Sequence, residues 1–342
     1  MSQLFGKEFG ERELLAYFGN TGAAAGIERF TYSYGKADGV KALRIGNGVL
    51  EAVLLESRAL DMASLKYKGI PLNFAGKNGI VSAANADATT APLRSVTGGM
   101  FYTAGLTNVG TAFPDGDYFH GRMRLIPAEK VSEKAEWENG KYRLSVSGEM
   151  NQNGVLCENL TLKRKVETEL GSNTITVTDT VVNNGFDPSP LMLMYHIVAG
   201  FPLLDRDAKV FMTERTRLEE NAYSCCAPNP TGEGSGGYLH ESLADGEGNA
   251  YCALFNYRLK FGLLITYSAN TLPYLSQWKS MKSGDYAMGL MPTNGHASGR
   301  QFEMDNGTLQ TLEAGEKKDF SVSFTVIGSE DEMERLIAER GL

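Results

Sequence analysis

The ten residues from Asn173 to Val182 constrain the fold of this chain more than any other stretch. Three apolar residues, Ile175, Val177 and Val181, alternate there with threonines. A period of two with β-branched residues is typical of a β-strand that has one buried face. Asp179 falls in phase with the apolar residues, and a buried carboxylate needs a partner. We interpret it as a structural ion pair with an arginine, with a ligand-facing carboxylate as the alternative.

The same alternation recurs along the chain. It is seen at Tyr142, Leu144 and Val146, and again from Phe320 to Val326. Further strands are predicted at 250–257, 261–268 and 272–278, and as a pair around Gly46-Asn47-Gly48. Helices are predicted only at 11–18 and 331–340. Because no long helices separate the strands, the pattern argues against a parallel α/β sheet and predicts an all-β fold, a large antiparallel sandwich with a few short helices.

The domain organisation follows from the lack of repeats and linkers. All-β folds of 342 residues often form one unit, so we expect a single domain over 1–342. Residues 1–35 are expected to form an N-terminal extension and 329–342 a C-terminal helix. The sequence leaves the oligomeric state open between a monomer and a homodimer.

Charge and cysteine usage exclude several classes of partner. The formal net charge is −8, and no cluster of lysine and arginine suits a nucleic acid or an anionic membrane. The four cysteines lack metal-ligand spacing, which is typical of reduced thiols in a cytoplasmic protein. The N-terminus lacks the apolar core of a signal peptide, and no apolar run reaches the roughly 18 residues of a membrane span.

No nucleotide, metal or nucleophile motif is present. The glycine-rich stretch at 98–110 lacks both the phosphate-loop lysine and the spacing of a dinucleotide fingerprint. The sequence also lacks a nucleophile elbow and the chain order of a Ser-His-Asp triad. We therefore predict no cofactor and no metal.

The four histidines can be weighed one by one. His120 follows the turn Pro114-Asp115-Gly116 and precedes a glycine, which favours a functional residue over a surface-loop histidine. His196 ends an apolar strand and stands before a turn. It is either a core histidine satisfied by the backbone or a side chain that points into a cleft. His240 and His296 follow glycine-rich stretches and are predicted to be exposed.

Several short motifs follow one another in a definite order along most of the chain. They are Arg58-Ala-Leu-Asp61, Gly105-Leu-Thr-Asn-Val-Gly110, His120-Gly-Arg122, Tyr195-His196 with Gly200-Phe-Pro-Leu-Leu-Asp205, Gln277-Trp-Lys279, Gly289-Leu-Met-Pro-Thr-Asn294 and Gly299-Arg300. In this order the motifs resemble the galactose mutarotase-like superfamily. More closely, the chain is similar to its aldose 1-epimerase-related bacterial group, once filed as a domain of unknown function.

This resemblance implies an antiparallel β-supersandwich with a carbohydrate cleft on one face and cofactor-free isomerase chemistry. In mutarotases a carboxylate removes the proton of the anomeric hydroxyl while a histidine protonates the ring oxygen, and the opened ring closes again on the other face. The resemblance assigns the acid to His196, and sugar binding with charge stabilisation to His120. The hydrogen-bond donors to a monosaccharide would be Arg94, Asn108, Arg122 and Gln277.

Trp278 is a further candidate for the substrate site. An aromatic side chain at a strand end is a common stacking surface for a sugar, although packing in the core explains it equally well.

One position departs from the family pattern. Met291 stands where the pattern has the glutamate that acts as the base. A thioether does not accept a proton at neutral pH, and general base catalysis contributes about 10²–10⁴-fold. Three explanations remain: the alignment of this strand is shifted, the protein binds a sugar without efficient turnover, or another carboxylate has taken over, for which the candidates are Asp205, Glu233, Glu241 and Glu303. An isomerase or lyase acting on a modified sugar is a further alternative, since the fold does not fix the reaction.

Overall fold

A computed structural model describes residues 2–114 and 116–342 of the chain. Asp115, in the turn predicted before His120, lies outside the described residues. The strands that precede residue 110 are β1 (Ser2–Leu4), β2 (Lys7–Phe9), β3 (Gly26–Thr31), β4 (Lys41–Gly46), β5 (Leu50–Leu55), β6 (Asp61–Tyr67), β7 (Ile70–Pro71), β8 (Phe74–Ala75), β9 (Gly98–Gly99) and β10 (Phe101–Leu106).

The second part of the chain is also rich in strands. These are β11 (Glu129–Glu138), β12 (Lys141–Asn153), β13 (Asn159–Glu169), β14 (Thr174–Asn183), β15 (Ser189–Pro190), β16 (Met192–Ala199), β17 (Ala208–Met212), β18 (Gly236–Glu241), β19 (Asn249–Asn256), β20 (Phe261–Ser268), β21 (Tyr274–Ser280), β22 (Ala287–Thr293), β23 (Thr311–Leu312) and β24 (Lys317–Ile327). The α-helices are α1 (Glu11–Phe18), α2 (Arg300–Asp305) and α3 (Glu330–Arg340). None of the helices in the described chain is long and apolar enough to cross a membrane.

Two large antiparallel sheets hold most of these strands. The cleft sheet runs β18-β21-β22-β16-β10-β6-β5-β4-β3, with β7 beside β6. The back sheet runs β11-β12-β13-β14-β24-β20-β19-β17. The predicted all-β class and antiparallel sandwich are confirmed.

Alternation along the strands builds the core between the sheets. In β14, Ile175, Val177 and Val181 are buried while the threonines face outward, as predicted. The back sheet contributes Phe324 to this core, and its ring stacks on Phe101 of the cleft sheet with centroids 5.8 Å apart. Apolar burial of this kind is the main source of stability.

A buried ionic network crosses from one sheet to the other. Arg164 on β13 donates two hydrogen bonds to Asp179, at 2.8 and 2.6 Å, and a third to Asp61 on β6 at 3.2 Å. Tyr195 of β16 donates its hydroxyl proton to the same Asp179 at 2.8 Å. The predicted structural ion pair of Asp179 is therefore confirmed, with Arg164 as its arginine. Because Tyr195 precedes His196, the network anchors the strand that carries that histidine.

The helices predicted near the two chain ends, at 11–18 and 331–340, correspond to α1 and α3. The predicted helix at 331–340 is α3, which is capped by the Ser329 hydroxyl accepting from the Glu332 amide at 3.1 Å. In the N-terminal segment, Leu4, Phe9 and Leu14 are buried in the main core. The strand β3 of the same segment forms one edge of the cleft sheet.

Candidate functional site

Successive side chains of β16 point alternately into the core and to the opposite face of the cleft sheet. Tyr195 points into the core, so its neighbour His196 must point to the opposite face of the cleft sheet. Strand pairing places His196 opposite Tyr102 of β10. On the other side, the pairs Met194–Thr293 and Val198–Gly289 set the register of β22 and bring Met291 opposite His196.

This register continues across the sheet as a row of side chains on one face. Met291 pairs with Ser276 of β21, and Ser276 pairs with Leu239 of β18. Together with Tyr102 and His196, these residues line a cleft of about 930 Å³. The rest of the lining comes from loops and neighbouring positions, among them Phe74, Lys77, Asn78, Leu93, Arg94, Phe119, His120, Tyr238, Gln277, Trp278, Asp285, His296 and Ser298.

Two histidines meet in the wall of this cleft. The rings of His120 and His196 lie 5.2 Å apart at an angle of 72°. Tyr102 stacks on His196 with centroids 4.2 Å apart and planes within 16°. The structure thus brings together the two residues predicted to carry the chemistry.

Both the backbone and the side chain of His120 are fixed by hydrogen bonds. Its amide donates to the Gly110 carbonyl at 2.8 Å, and the Gly110 amide donates back to its Nδ1 at 3.1 Å. His120 has a φ of 59°, in the left-handed region, and Gly121 follows at 71°. The buried guanidinium of Arg124 donates to the carbonyls on both sides of His120, those of Phe119 (2.7 Å) and Gly121 (2.9 Å).

Burial keeps both imidazoles neutral. Desolvation lowers the pKa of His196 to about 3. The pKa of His120 is also lowered well below its usual value, first by burial and then by His196 and Arg124. Because Nδ1 of His120 accepts from Gly110, its proton resides on Nε2. Nδ1 of His196 is buried without a hydrogen-bond partner among the described residues, so Nε2 is its nitrogen at the cleft.

The residues predicted to contact the sugar, through hydrogen bonds or by stacking, divide into two groups. Arg94, Gln277 and the half-exposed Trp278 line the cleft. Asn108 and Arg122 are not among the lining residues, and both have partners elsewhere. Asn108 donates to the Tyr118 carbonyl at 3.0 Å and accepts from the Arg300 amide at 2.8 Å, which ties the loop before His120 to α2.

Arg122 is occupied on its own loop. Its guanidinium donates to Asp117 at 3.1 Å and to the Gly116 carbonyl at 2.6 Å. The contacts of Arg122 and Asn108 in this structure thus lie within the His120 loop and with α2, outside the cleft lining.

The prediction that His240 is exposed is wrong. His240 is 1% exposed, and its Nδ1 lies 2.6 Å from the Glu214 carboxylate. The amide nitrogen of Gln277 donates to the Ala222 carbonyl at 2.7 Å, so its oxygen faces Nε2 of His240 at 3.0 Å and accepts from it. His240 thus fixes the Gln277 amide from behind the cleft.

His296 is likewise not the fully exposed residue that was predicted. Its ring is partly buried, lines the cleft, and contacts Tyr274 and Phe302 with centroids 5.0 Å away in each case. Glu303, one of the four carboxylates proposed from sequence, is 2% exposed and lies 2.9 Å from Nδ1 of His296.

None of the four candidate carboxylates is among the residues that line the cleft, and Glu303 lies behind His296. Asp205 is bound to Arg258 at 2.5 Å, while Glu233 and Glu241 are exposed. Met291 itself lines the cleft, so the register places a thioether beside His196.

Comparison with known proteins identifies the family. The model of the family described as "Domain of unknown function (DUF4432)" matches residues 37–326. The chain belongs to this family. No match was found among curated protein sequences. The sequence-based expectation of a group filed as a domain of unknown function is confirmed.

Solved structures share the fold of this DUF4432 protein. A Klebsiella pneumoniae protein assigned provisionally as an aldose 1-epimerase superposes with a TM-score of 0.84 at 19% identity, covering 92% of this chain and 86% of its own. A galactose mutarotase-like protein from Clostridium acetobutylicum superposes with a TM-score of 0.58 at 15% identity. The superposition covers 89% of this chain and 99% of the Clostridium protein. Galactose 1-epimerase from Lactobacillus acidophilus superposes with a TM-score of 0.57 at 10% identity. The superposition covers 88% of this chain and 98% of the Lactobacillus protein. The fold is therefore galactose mutarotase-like.

Sequence reasoning missed several residues of the DUF4432 cleft. Tyr102 lies in the stretch that was examined only for a nucleotide motif, although its period-two relation to Ala104 placed both on one strand face. Arg124 lies four residues after His120 and carried no distinguishing pattern. The His296–Glu303 pair was split into an exposed histidine and one of four carboxylates, because the turn that joins them cannot be read from spacing alone.

Proposed function

We propose that this DUF4432 protein is an isomerase that interconverts the anomers of a monosaccharide, in the manner of an aldose 1-epimerase. The observation that carries the proposal is the pair of neutral histidines, His120 and His196, whose Nε2 atoms are available to one cleft. The galactose mutarotase-like fold supports a sugar as the substrate class.

The histidine pair suits the charge that develops when a sugar ring opens. Cleavage of the bond between the anomeric carbon and the ring oxygen leaves negative charge on that oxygen. A neutral imidazole is a poor donor of a whole proton, but it stabilises an oxyanion through its N–H, and two such donors act together. In this proposal His196 and His120 both donate hydrogen bonds to the ring oxygen, rather than His196 alone acting as a cationic acid.

The remaining lining residues are suited to holding a sugar. Trp278 is 43% exposed on the cleft and offers an apolar face for the C–H surface of a pyranose ring. Arg94 is exposed at the cleft and provides donors to hydroxyls. Gln277, with its amide fixed by His240 and Ala222, forms a rigid part of the wall.

The test is NMR exchange between α and β anomers, measured across a panel of aldoses with wild type and His196→Ala side by side. We expect exchange well above the uncatalysed rate in wild type and its loss in His196→Ala, while sugar binding by saturation transfer persists. A melting curve for each protein controls for folding. Exchange at the uncatalysed rate for every aldose would contradict the proposal.

Met291 favours a second candidate function, a sugar-binding protein without turnover. Its thioether lies opposite His196, where it cannot accept a proton. This candidate predicts saturable binding of a sugar together with exchange at background. The same panel therefore separates the two functions.

A further inference from the structure

The turn after β22 places a histidine and a carboxylate together at the cleft. His296 lies three residues beyond the end of β22, and Glu303 lies on α2. The Nδ1 atom of His296 and an oxygen of Glu303 are 2.9 Å apart. The backbone amide of His296 and the hydroxyl of Thr308 donate to the same carboxylate. Glu303 is 2% exposed, so the pair is shielded on the carboxylate side and open on the histidine side.

These contacts determine which nitrogen of His296 carries the proton. An ionised carboxylate only accepts hydrogen bonds, and here it receives one from the backbone amide, one from Thr308 and one from Nδ1. Nδ1 therefore carries the hydrogen, and Nε2 keeps its lone pair. Within residues 2–114 and 116–342, Nε2 of His296 has no hydrogen-bond partner, and the ring lines the cleft. A carboxylate at Nδ1 with a free Nε2 at the cleft is the arrangement in which a histidine can act as a general base.

From this geometry we infer that His296 is the general base of the reaction, with Glu303 as its positioning residue, in place of the carboxylate that Met291 lacks. The inference rests on the proposed function. His296 follows Met291 by five residues on the same side of the cleft sheet, and both line the cleft.

The proposed reaction opens the sugar ring with one proton transfer to His296 and closes it again with the return of that proton. Nε2 of His296 takes the proton of the anomeric hydroxyl, and the released O–H electron pair forms the carbonyl of the open sugar. The bond from the anomeric carbon to the ring oxygen breaks, and its electron pair stays on that oxygen, held by His120 and His196. Rotation about the C1–C2 bond turns the carbonyl over. The ring oxygen then attacks the other face, and His296 returns its proton to the anomeric oxygen.

Glu303 contributes while His296 is charged. Proton transfer makes the ring an imidazolium, and the ionised carboxylate at Nδ1 stabilises it. Among the described residues, the carboxylate that lines the cleft itself is Asp285, which is bound to Lys77 at 2.8 Å. Because Asp285 is at the cleft, it is the alternative base that the experiment must exclude.

The experiment compares His296→Ala, Glu303→Gln, Asp285→Asn and one control variant in the anomer-exchange assay, using an aldose that wild type turns over. His296→Ala is expected to lower the exchange rate by about 10²–10⁴-fold with sugar binding retained. Added imidazole is expected to restore part of this rate, which a merely structural histidine would not show. Glu303→Gln is expected to lower kcat with little change in KM. Glu339→Gln, the same substitution on an exposed carboxylate of α3, is the control and is expected to match wild type.

The outcomes distinguish this inference from the proposed function. If wild type shows no exchange with any aldose, the proposed function and the base role fail together. If wild type is active and His296→Ala keeps its rate within about threefold, the base role alone fails. A loss confined to Asp285→Asn would assign the base to Asp285 instead.

A second measurement does not depend on the variants folding. Nitrogen NMR of wild type with labelled histidine reports the tautomer of His296 directly. We expect the hydrogen on Nδ1 and a bare Nε2 at neutral pH. A hydrogen on Nε2 would overturn the inference, because no lone pair would then face the cleft.

Discussion

The ring of Tyr102 lies against the imidazole of His196, with centroids 4.2 Å apart and planes inclined by 16°. Strand pairing places the two residues opposite each other, so the stack is a cross-strand pair on the cleft face. Tyr102→Leu removes the ring, and we expect the anomer-exchange rate to fall about tenfold, since small misplacements of a catalytic group are costly. Tyr102→Phe keeps the ring and should stay within about threefold of wild type. Equal losses in both variants would assign the effect to the hydroxyl instead.

The depressed pKa of His196 predicts a stability that depends on pH. The ordinary pKa is 6.5 and the folded value is about 3, because burial disfavours the charged form. Between these values the unfolded chain binds a proton that the folded protein does not. The free energy of unfolding therefore falls as pH drops below 6.5, by up to about 1.4 kcal/mol per pH unit, and this contribution is constant above 6.5.

This slope can be isolated with one substitution. His196→Phe retains an aromatic ring against Tyr102 and cannot titrate. Urea unfolding of both proteins from pH 7 to pH 4 should show a shallower decline in the variant. Parallel curves would mean that His196 titrates alike in the folded and unfolded chain.

The buried ion pair of Arg164 and Asp179 predicts a large loss of stability. Asp179→Asn removes the carboxylate that accepts two hydrogen bonds from the buried guanidinium and leaves it only the longer contact with Asp61, at 3.2 Å. Breaking a buried ion pair typically costs about 3–5 kcal/mol. Thr178→Val lies on the outer face of the same strand and should change the unfolding free energy by less than about 0.5 kcal/mol. Urea unfolding at pH 7 measures both. A loss below about 1 kcal/mol for Asp179→Asn would show that water reaches this site.

Substitutions of Arg124 and Arg122, the two arginines that follow His120, are expected to differ in their effect on the rate of anomer exchange. Arg124 donates to the carbonyls on either side of His120, whereas Arg122 binds Asp117 and the Gly116 carbonyl. Arg124→Met should release the His120 loop and lower kcat by about tenfold or more, with a smaller change in KM. Arg122→Met is the matched control and should retain most of the activity. Initial rates of anomer exchange over a range of sugar concentrations test this, and the reverse order of effects would contradict it.

Much of the fold could be predicted because alternation is a local property. Asn173–Val182 reveals its buried face within ten residues, and the position of Asp179 on that face was sufficient to predict an ion pair. The identity of its partner was not predictable, because Arg164 lies on the neighbouring strand and strand register is not encoded locally.

The site was harder to predict than the fold for the same reason. His120 and His196 stood out by their local motifs, and both line the cleft. His240 and His296 were judged by flanking glycines, which indicate turns but not what packs against them. His240 is buried because β18 pairs with β21, which brings Gln277 to its ring. Such long-range pairings also explain why Met291 lies opposite His196, a relation that no spacing in the sequence shows.

A glutamate at position 291 is expected to act as a general base in place of His296. Met291 lies opposite His196 and lines the same cleft as His296, so a carboxylate there reaches the sugar from the cleft sheet. In a His296→Ala background, Met291→Glu is expected to raise anomer exchange at least about tenfold over the single variant, because a general base is worth about 10²–10⁴-fold. Met291→Gln is the matched control, being similar in shape and unable to accept the proton. NMR exchange on the three proteins decides the matter: equal rates for the glutamate and glutamine variants, with sugar still bound, would show that a base at this position does not reach the anomeric hydroxyl.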